Sequence, residues 1–271
     1  MKHRRPGTGR GGGPYGDGAG DIIARILRGK RMPLTSKSLP EYWDTYKPHK
    51  GDGTPSAPEV DSFEWTQYPG HGPGAGFIGR PRTALELGSA EGKEAVFLAR
   101  TGVEVTALDF SPAQTARARL WWEGTPGLSF VTAEACEYLA ETTAKFDAVF
   151  SRWGAVWFTD PERLVPLVAR RLNPGGVLAL SQAEPIEGFY GPQAMYGNGL
   201  SGRRLPVLRW SYSTGMWADL LERNGFTGID ACILPAPDPD NVGTLMVRAR
   251  TPAEPAPPPA PAPAGRRRQA R

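Results

Sequence analysis

The sequence predicts an α/β chain built on a mostly parallel sheet covered on both faces. Three observations predict it. Short apolar strands alternate with amphipathic helices from residue 83 onward. A glycine corner at Gly88 joins the first strand to the first helix. Only PAPDPDN (235–241) separates the last two strands, too little for a helical crossover, so that pair must be an antiparallel hairpin.

The elements follow in order. Thr83–Leu87 is an apolar strand, and Glu91–Arg100 a helix with Ala95, Val96, Leu98 and Ala99 apolar. Val103–Leu108 is a strand. Ser111-Pro112 caps a helix towards Trp122. Leu128–Thr132 is a strand, with a helix near 134–142. Phe146–Ser151 is a strand. Asp160-Pro161 caps a helix to Leu172, stopped by a turn at Asn173-Pro174-Gly175-Gly176. Val177–Ser181 is a strand, residues 213–224 a helix, and Gly228–Leu234 and Gly243–Arg248 the closing pair. Upstream, residues 21–82 read as a helical cap and loop. Asp21–Arg31 is a short helix, and Ser38-Leu39-Pro40-Glu41 is a capping box that opens a second.

Composition bounds the rest. In 271 residues, 39% are hydrophobic and 22% charged, enough for a folded core. The net charge of +4 sits wholly in the ends: 1–20 and 251–271 each carry four basic residues against one acidic, which leaves −2 for 21–250. A nucleic-acid-binding face is therefore not expected on the folded part. Eight glycines in 1–20 and seven prolines in 251–271 read as disordered tails. No apolar run is long enough to span a membrane. Cys136 and Cys232 lack metal-type spacing, so no metal is expected, both read as packing residues, and a reducing cytoplasm is the expected compartment.

The segment LELGSAEG (85–92) follows a strand and opens a helix, and Asp109 ends the next strand, placed to accept the ribose hydroxyls of an adenosine ligand. Nicotinamide binding is disfavoured, because Ala90 and Lys93 stand where its fingerprint has glycines. With VTALDFSP (105–112), FVTAEA (130–135), FDAVFSRWGAVWF (146–158) and LNPGGVLALS (172–181), the chain resembles class I S-adenosylmethionine-dependent methyltransferases over roughly 83–250. It is most similar to the small-molecule branch. The resemblance implies a Rossmann-like, doubly wound seven-stranded sheet of order 3-2-1-4-5-7-6, with strand 7 antiparallel. S-adenosylmethionine is the implied cofactor. Glu86 and Gly88 would border its methionine amino group, with Ser89, Ala90 and Gly92 in the same loop. Asp109 would hold the ribose, Phe110 the adenine face, Glu134 and Ala135 the adenine edge, and Ser151 the methionine end. Ala90 replaces the usual glycine, which is tolerable at negative φ.

The implied reaction is methyl transfer to oxygen or nitrogen of a small-molecule acceptor, with specialised metabolites as the implied kind. The alternatives are an RNA or protein methyltransferase tethered by the basic tails, and a non-catalytic adenosine-ligand binder. Tyr42, Trp43, Tyr46, Trp153, Trp157, Tyr190 and Tyr196 supply an aromatic acceptor wall. Residues 182–212, without clear periodicity, and 38–74 read as its lid. Of three histidines, His3 and His49 lie in polar stretches, and His71 is the candidate base.

Overall fold

The computed structural model describes residues 42–44, 56–198 and 204–254. The expected tail at 1–20, the helix at 21–31 and most of 251–271 lie outside the described residues.

After a helical stretch at 42–44, nine strands and six helices follow in chain order among the described residues: β1 Thr83–Leu87, α1 Lys93–Arg100, β2 Glu104–Asp109, α2 Pro112–Trp121, β3 Leu128–Thr132, α3 Ala135–Glu141, β4 Phe146–Arg152, α4 Ala155–Phe158, α5 Pro161–Arg171, β5 Leu172–Ala183, β6 Gly191–Asn198, β7 Arg204–Ser211, α6 Thr214–Arg223, β8 Thr227–Leu234 and β9 Thr244–Arg250. Seven strands form one sheet of order β3-β2-β1-β4-β5-β9-β8. The first five run parallel, and β9 is antiparallel to both β5 and β8. With the inserted strands discounted, this is the order 3-2-1-4-5-7-6 expected above.

Local chemistry explains the boundaries. Ser111 caps α2 by accepting from the Gln114 amide, Asp160 caps α5 through Glu162, and Ser213 caps α6 through Met216. Proline at the first position of α2 and α5 gives up an amide that has no helical partner anyway. The sheet is buried on both faces, which is why its central strands read as apolar runs. On one face Leu85, Leu87, Val149, Leu178 and Leu180 pack with Leu164, Val165 and Val168 of α5 and Trp217, Leu220 and Leu221 of α6. On the other, Ala84, Phe150, Val177 and Ala179 pack with Ala95 and Leu98 of α1 and with Phe63, Trp65 and Ile78. Residues 56–82 thus form a strap laid on the sheet, with one 3-10 turn at Gly74–Ile78.

Three expectations change. The turn at 173–176 is the start of β5: Leu172 already pairs with Phe146, and the register then shifts before Ala148 pairs with Val177. Pro174, which cannot donate to the ladder, sits in that irregularity. Residues 182–212 hold an antiparallel hairpin, β6–β7, where no periodicity was read. Cys232 is exposed on the edge strand β8, not packed, whereas Cys136 is buried. No helix among the described residues is long and apolar enough to cross a membrane.

Candidate active site

A cavity of about 320 Å³ opens at the carboxyl ends of β1, β2 and β4. The strand order reverses between β1 and β4, so their following loops part and leave a crevice there. The β1–α1 loop makes the floor. Gly88 and Ser89 both donate their amides to the Leu108 carbonyl, at 2.8 and 2.9 Å, which folds the loop over β2. Gly88 has φ +81°, and a Cβ there would overlap the Ala155 amide. A Cβ on Gly154 would lie 2.5 Å from the Leu87 oxygen. Both glycines are therefore required by the contact between the β1 and β4 loops.

Asp109 clamps this corner. Its Oδ2 accepts from the Ala90 amide at 2.7 Å and its Oδ1 from the Ser111 amide at 2.8 Å. Burial pushes its carboxyl above the usual range, while the amides of Ser111, Ala90 and Phe110 pull it back. Three amides leave part of the carboxylate's roughly four lone-pair sites for a ligand. Ala90 itself has φ +46°. The condition for tolerating the extra methyl without strain, a negative φ, is therefore not met: the Asp109 clamp holds the residue in the left-handed region, where a methyl side chain is strained.

Glu86 lies deeper, 2% exposed, and its Oε2 has no hydrogen-bond partner. Burial raises its pKa well above the ordinary value, Glu94 and Asp109 add to the rise, and Arg152 opposes it. Arg152 lies 3.4 Å from Glu94 and donates to the Thr66 carbonyl at 2.7 Å. The Ser89 hydroxyl is likewise buried without a partner. The floor thus offers a hydroxyl and a carboxylate that the protein itself leaves unmatched, a fit for a cationic donor group.

Aromatic rings wall the rest. Tyr42, Trp43, Phe158, Trp157 and Trp153 form a chain with successive centroids 4.8, 4.6, 5.1 and 5.4 Å apart. Trp153 has φ +50°. It is held there by its amide bond to Ser181 (2.8 Å) and its indole bond to the Trp65 carbonyl (3.0 Å). Val207 and Leu208 of β7 complete the wall.

Of the residues singled out in the sequence, Glu86, Gly88, Ser89, Ala90, Asp109, Phe110, Glu134, Ala135, Tyr42, Trp43, Trp153 and Trp157 line this cavity. Glu134 also caps α3 by accepting from the Glu137 amide at 2.9 Å. Gly92 and Ser151 lie behind the lining. Gly92 makes room for the Phe130 ring, which a Cβ would meet at 2.7 Å. The Ser151 hydroxyl donates to the Leu87 carbonyl at 2.8 Å. Tyr190 is 42% exposed, outside the lining. Tyr196 is placed on β6 by its pairing with Pro206, while its side chain, like Tyr46 and His49, lies outside the described residues. His71 is not brought to the cavity. Its Nε2 lies 2.8 Å from the Pro235 carbonyl, beyond β8, because the strap runs over the β8 end of the sheet there.

Sequence reasoning missed Arg152, Glu94, Gln114, Phe158, Val207 and Leu208 as lining residues. Arg152, a charge at the end of an apolar strand, was the one visible signal. Gln114 is buried and donates to the Trp43 carbonyl at 3.1 Å, tying the aromatic turn to α2. Among the described residues no His, Cys, Asp and Glu group is arranged to hold a metal ion.

Residues 85–180 match a family model described as a methyltransferase domain. Over that stretch the chain is similar to methyltransferase domains. The chain is 34% identical over 110 residues to trans-aconitate 2-methyltransferase of Methylobacterium radiotolerans, covering 39% of this chain and 40% of that protein. It is 34% identical over 98 residues to a ubiquinone biosynthesis O-methyltransferase of Xanthomonas oryzae pv. oryzae, covering 36% of this chain and 41% of that protein. The chain spans about two fifths of the length of these curated relatives. A SAM-dependent methyltransferase from Methanosarcina mazei superposes with a TM-score of 0.52 at 16% identity, over 66% of this chain and 96% of that one. The likeness to that structure is one of fold. The match at 85–180 covers the cavity floor and stops before the hairpin.

Proposed function

We propose that the chain transfers the methyl group of S-adenosylmethionine to oxygen or nitrogen of a small-molecule acceptor. The observation that carries this reading is the unpartnered, buried Oε2 of Glu86 beside the Gly88 corner. An amino acid ammonium answers it, and the desolvated carboxylate gains most from such a partner. The names of the curated relatives, which refer to trans-aconitate and to ubiquinone biosynthesis, support a small-molecule acceptor. The RNA, protein and binding-only alternatives rest on tails outside the described residues and on Ala90, and no observation of the cavity favours them. Cytoplasmic placement belongs to the same proposal; both cysteines are free thiols, which suits a reducing compartment.

The bound cofactor supplies a methyl group already activated by a sulfonium. The protein supplies position. Glu86 and the Ser89 hydroxyl would hold the ammonium end, and Asp109 would accept from the ribose through its free lone pairs. Phe110 and Ala135 would pack on the base. The faces of Trp153 and Trp157 favour positive charge nearby. Val207, Leu208, Trp43 and Phe158 exclude water from the acceptor end.

Incubation with methyl-labelled S-adenosylmethionine and a metabolite extract, followed by mass spectrometry, tests the proposal. A labelled product matched by homocysteine-form cofactor is expected. Cofactor binding without any labelled product would favour the binding-only reading.

A further inference from the structure

Resting on that reading, we infer that the acceptor is a planar aromatic molecule without formal charge, seated against Trp157 and the β7 hairpin strand. The acceptor wall is built for a flat apolar partner. Five rings form a continuous chain from Tyr42 to Trp153, and Val207 and Leu208 line the same cavity. Ring edges and faces of this kind reward another ring beyond simple area burial.

Trp157 is also held in place before any ligand arrives. The Arg209 guanidinium lies 5.2 Å from its ring centroid, and Arg209 Nε donates to Gln193 at 3.2 Å. One side chain thus ties β6, β7 and α4 together around the aromatic wall. A fixed ring loses little freedom on binding.

Charge excludes the other classes. The acids of the cavity belong to its floor, and the acceptor end, lined by Tyr42, Trp43, Trp157, Phe158, Val207 and Leu208, presents no charged side chain. The Arg209 guanidinium beside it is engaged with Trp157 and Gln193. A polycarboxylate acceptor would be desolvated there without a partner for each charge. A cationic acceptor would suit the carboxylates, yet transfer would press it against the sulfonium, and a protonated amine has no lone pair to accept a methyl. What remains is a neutral ring whose heteroatom keeps its lone pair. Val207 and Leu208 of this wall lie outside the stretch shared with the methyltransferase family model, whereas Trp153, Trp157 and Phe158 lie inside it.

The test uses the full chain saturated with S-adenosylhomocysteine. Binding of 2-naphthol and quinoline is compared with that of citrate and the neutral, non-aromatic cyclohexanol by calorimetry. The inference expects at least one aromatic probe to bind about tenfold or more tighter than either of the other two. It expects Trp157→Ala to lose that advantage and Trp157→Phe to keep most of it. Equal or tighter binding of citrate or cyclohexanol overturns it, as does ring binding indifferent to Trp157→Ala. Failure of S-adenosylhomocysteine itself to bind would instead overturn the functional reading beneath it.

Discussion

Glu86 and Ala90 carry opposite kinds of strain, and each makes a prediction at the scale of one residue. Glu86 is a carboxylate the fold does not satisfy. Its folded pKa is raised, so the native state binds the proton more tightly than the unfolded chain. The penalty is absent below the ordinary carboxylate value of about 4.3 and grows as pH climbs towards the folded pKa. Glu86→Gln removes it. The ligand-free variant should be more stable than wild type at pH 8 by about 1 kcal/mol or more, a gain that shrinks towards pH 5. Thermal melts at the two pH values check this, and an equal or reversed difference would contradict it. Ala90 pays for its left-handed φ of +46° through the Asp109 clamp. Ala90→Gly should stabilise by about 0.5–1 kcal/mol, the relief exceeding the added freedom of the unfolded glycine. Urea denaturation measures it; destabilisation would mean that the clamp imposes no strain.

Among the elements, the hairpin β6–β7 separates the floor of the cavity from its acceptor wall. Val207 and Leu208 touch the cavity, whereas the β1–α1 loop and Asp109 owe nothing to the hairpin. Deleting 188–204 should therefore leave S-adenosylhomocysteine binding intact and abolish turnover of any acceptor. Loss of binding in a calorimetric titration would show that the hairpin builds the floor as well. The strands and helices of the sheet were legible because each carried its own signal. Ser111-Pro112 and Asp160-Pro161 announced caps, and PAPDPDN was too short for a crossover. The hairpin was not legible, because its strands mix Gly191, Pro192 and Pro206 with apolar residues and present no clean alternation. The strap was missed for a similar reason. Trp65 is fully buried in a stretch of Gly and Pro without period, and only the long-range bonds of its carbonyl to Trp153 and Ser181 reveal its place.

At the scale of the molecule, the sheet order sets where chemistry can occur. The reversal between β1 and β4 opens one crevice, and the chain gathers its unmatched acid, its glycine corner and its aromatic wall there. The floor was readable from LELGSAEG and Asp109, since those residues act through local backbone geometry. His71 was misplaced because sequence proximity to the aromatic segment gave no hint that the strap carries it past the cavity to Pro235. The measurement that tests the account most directly is calorimetric titration of S-adenosylhomocysteine into the wild-type chain and Glu86→Gln at pH 8. The account predicts binding by the wild type and a loss of about tenfold or more in the variant. No binding by the wild type, or equal affinity in both, would contradict it.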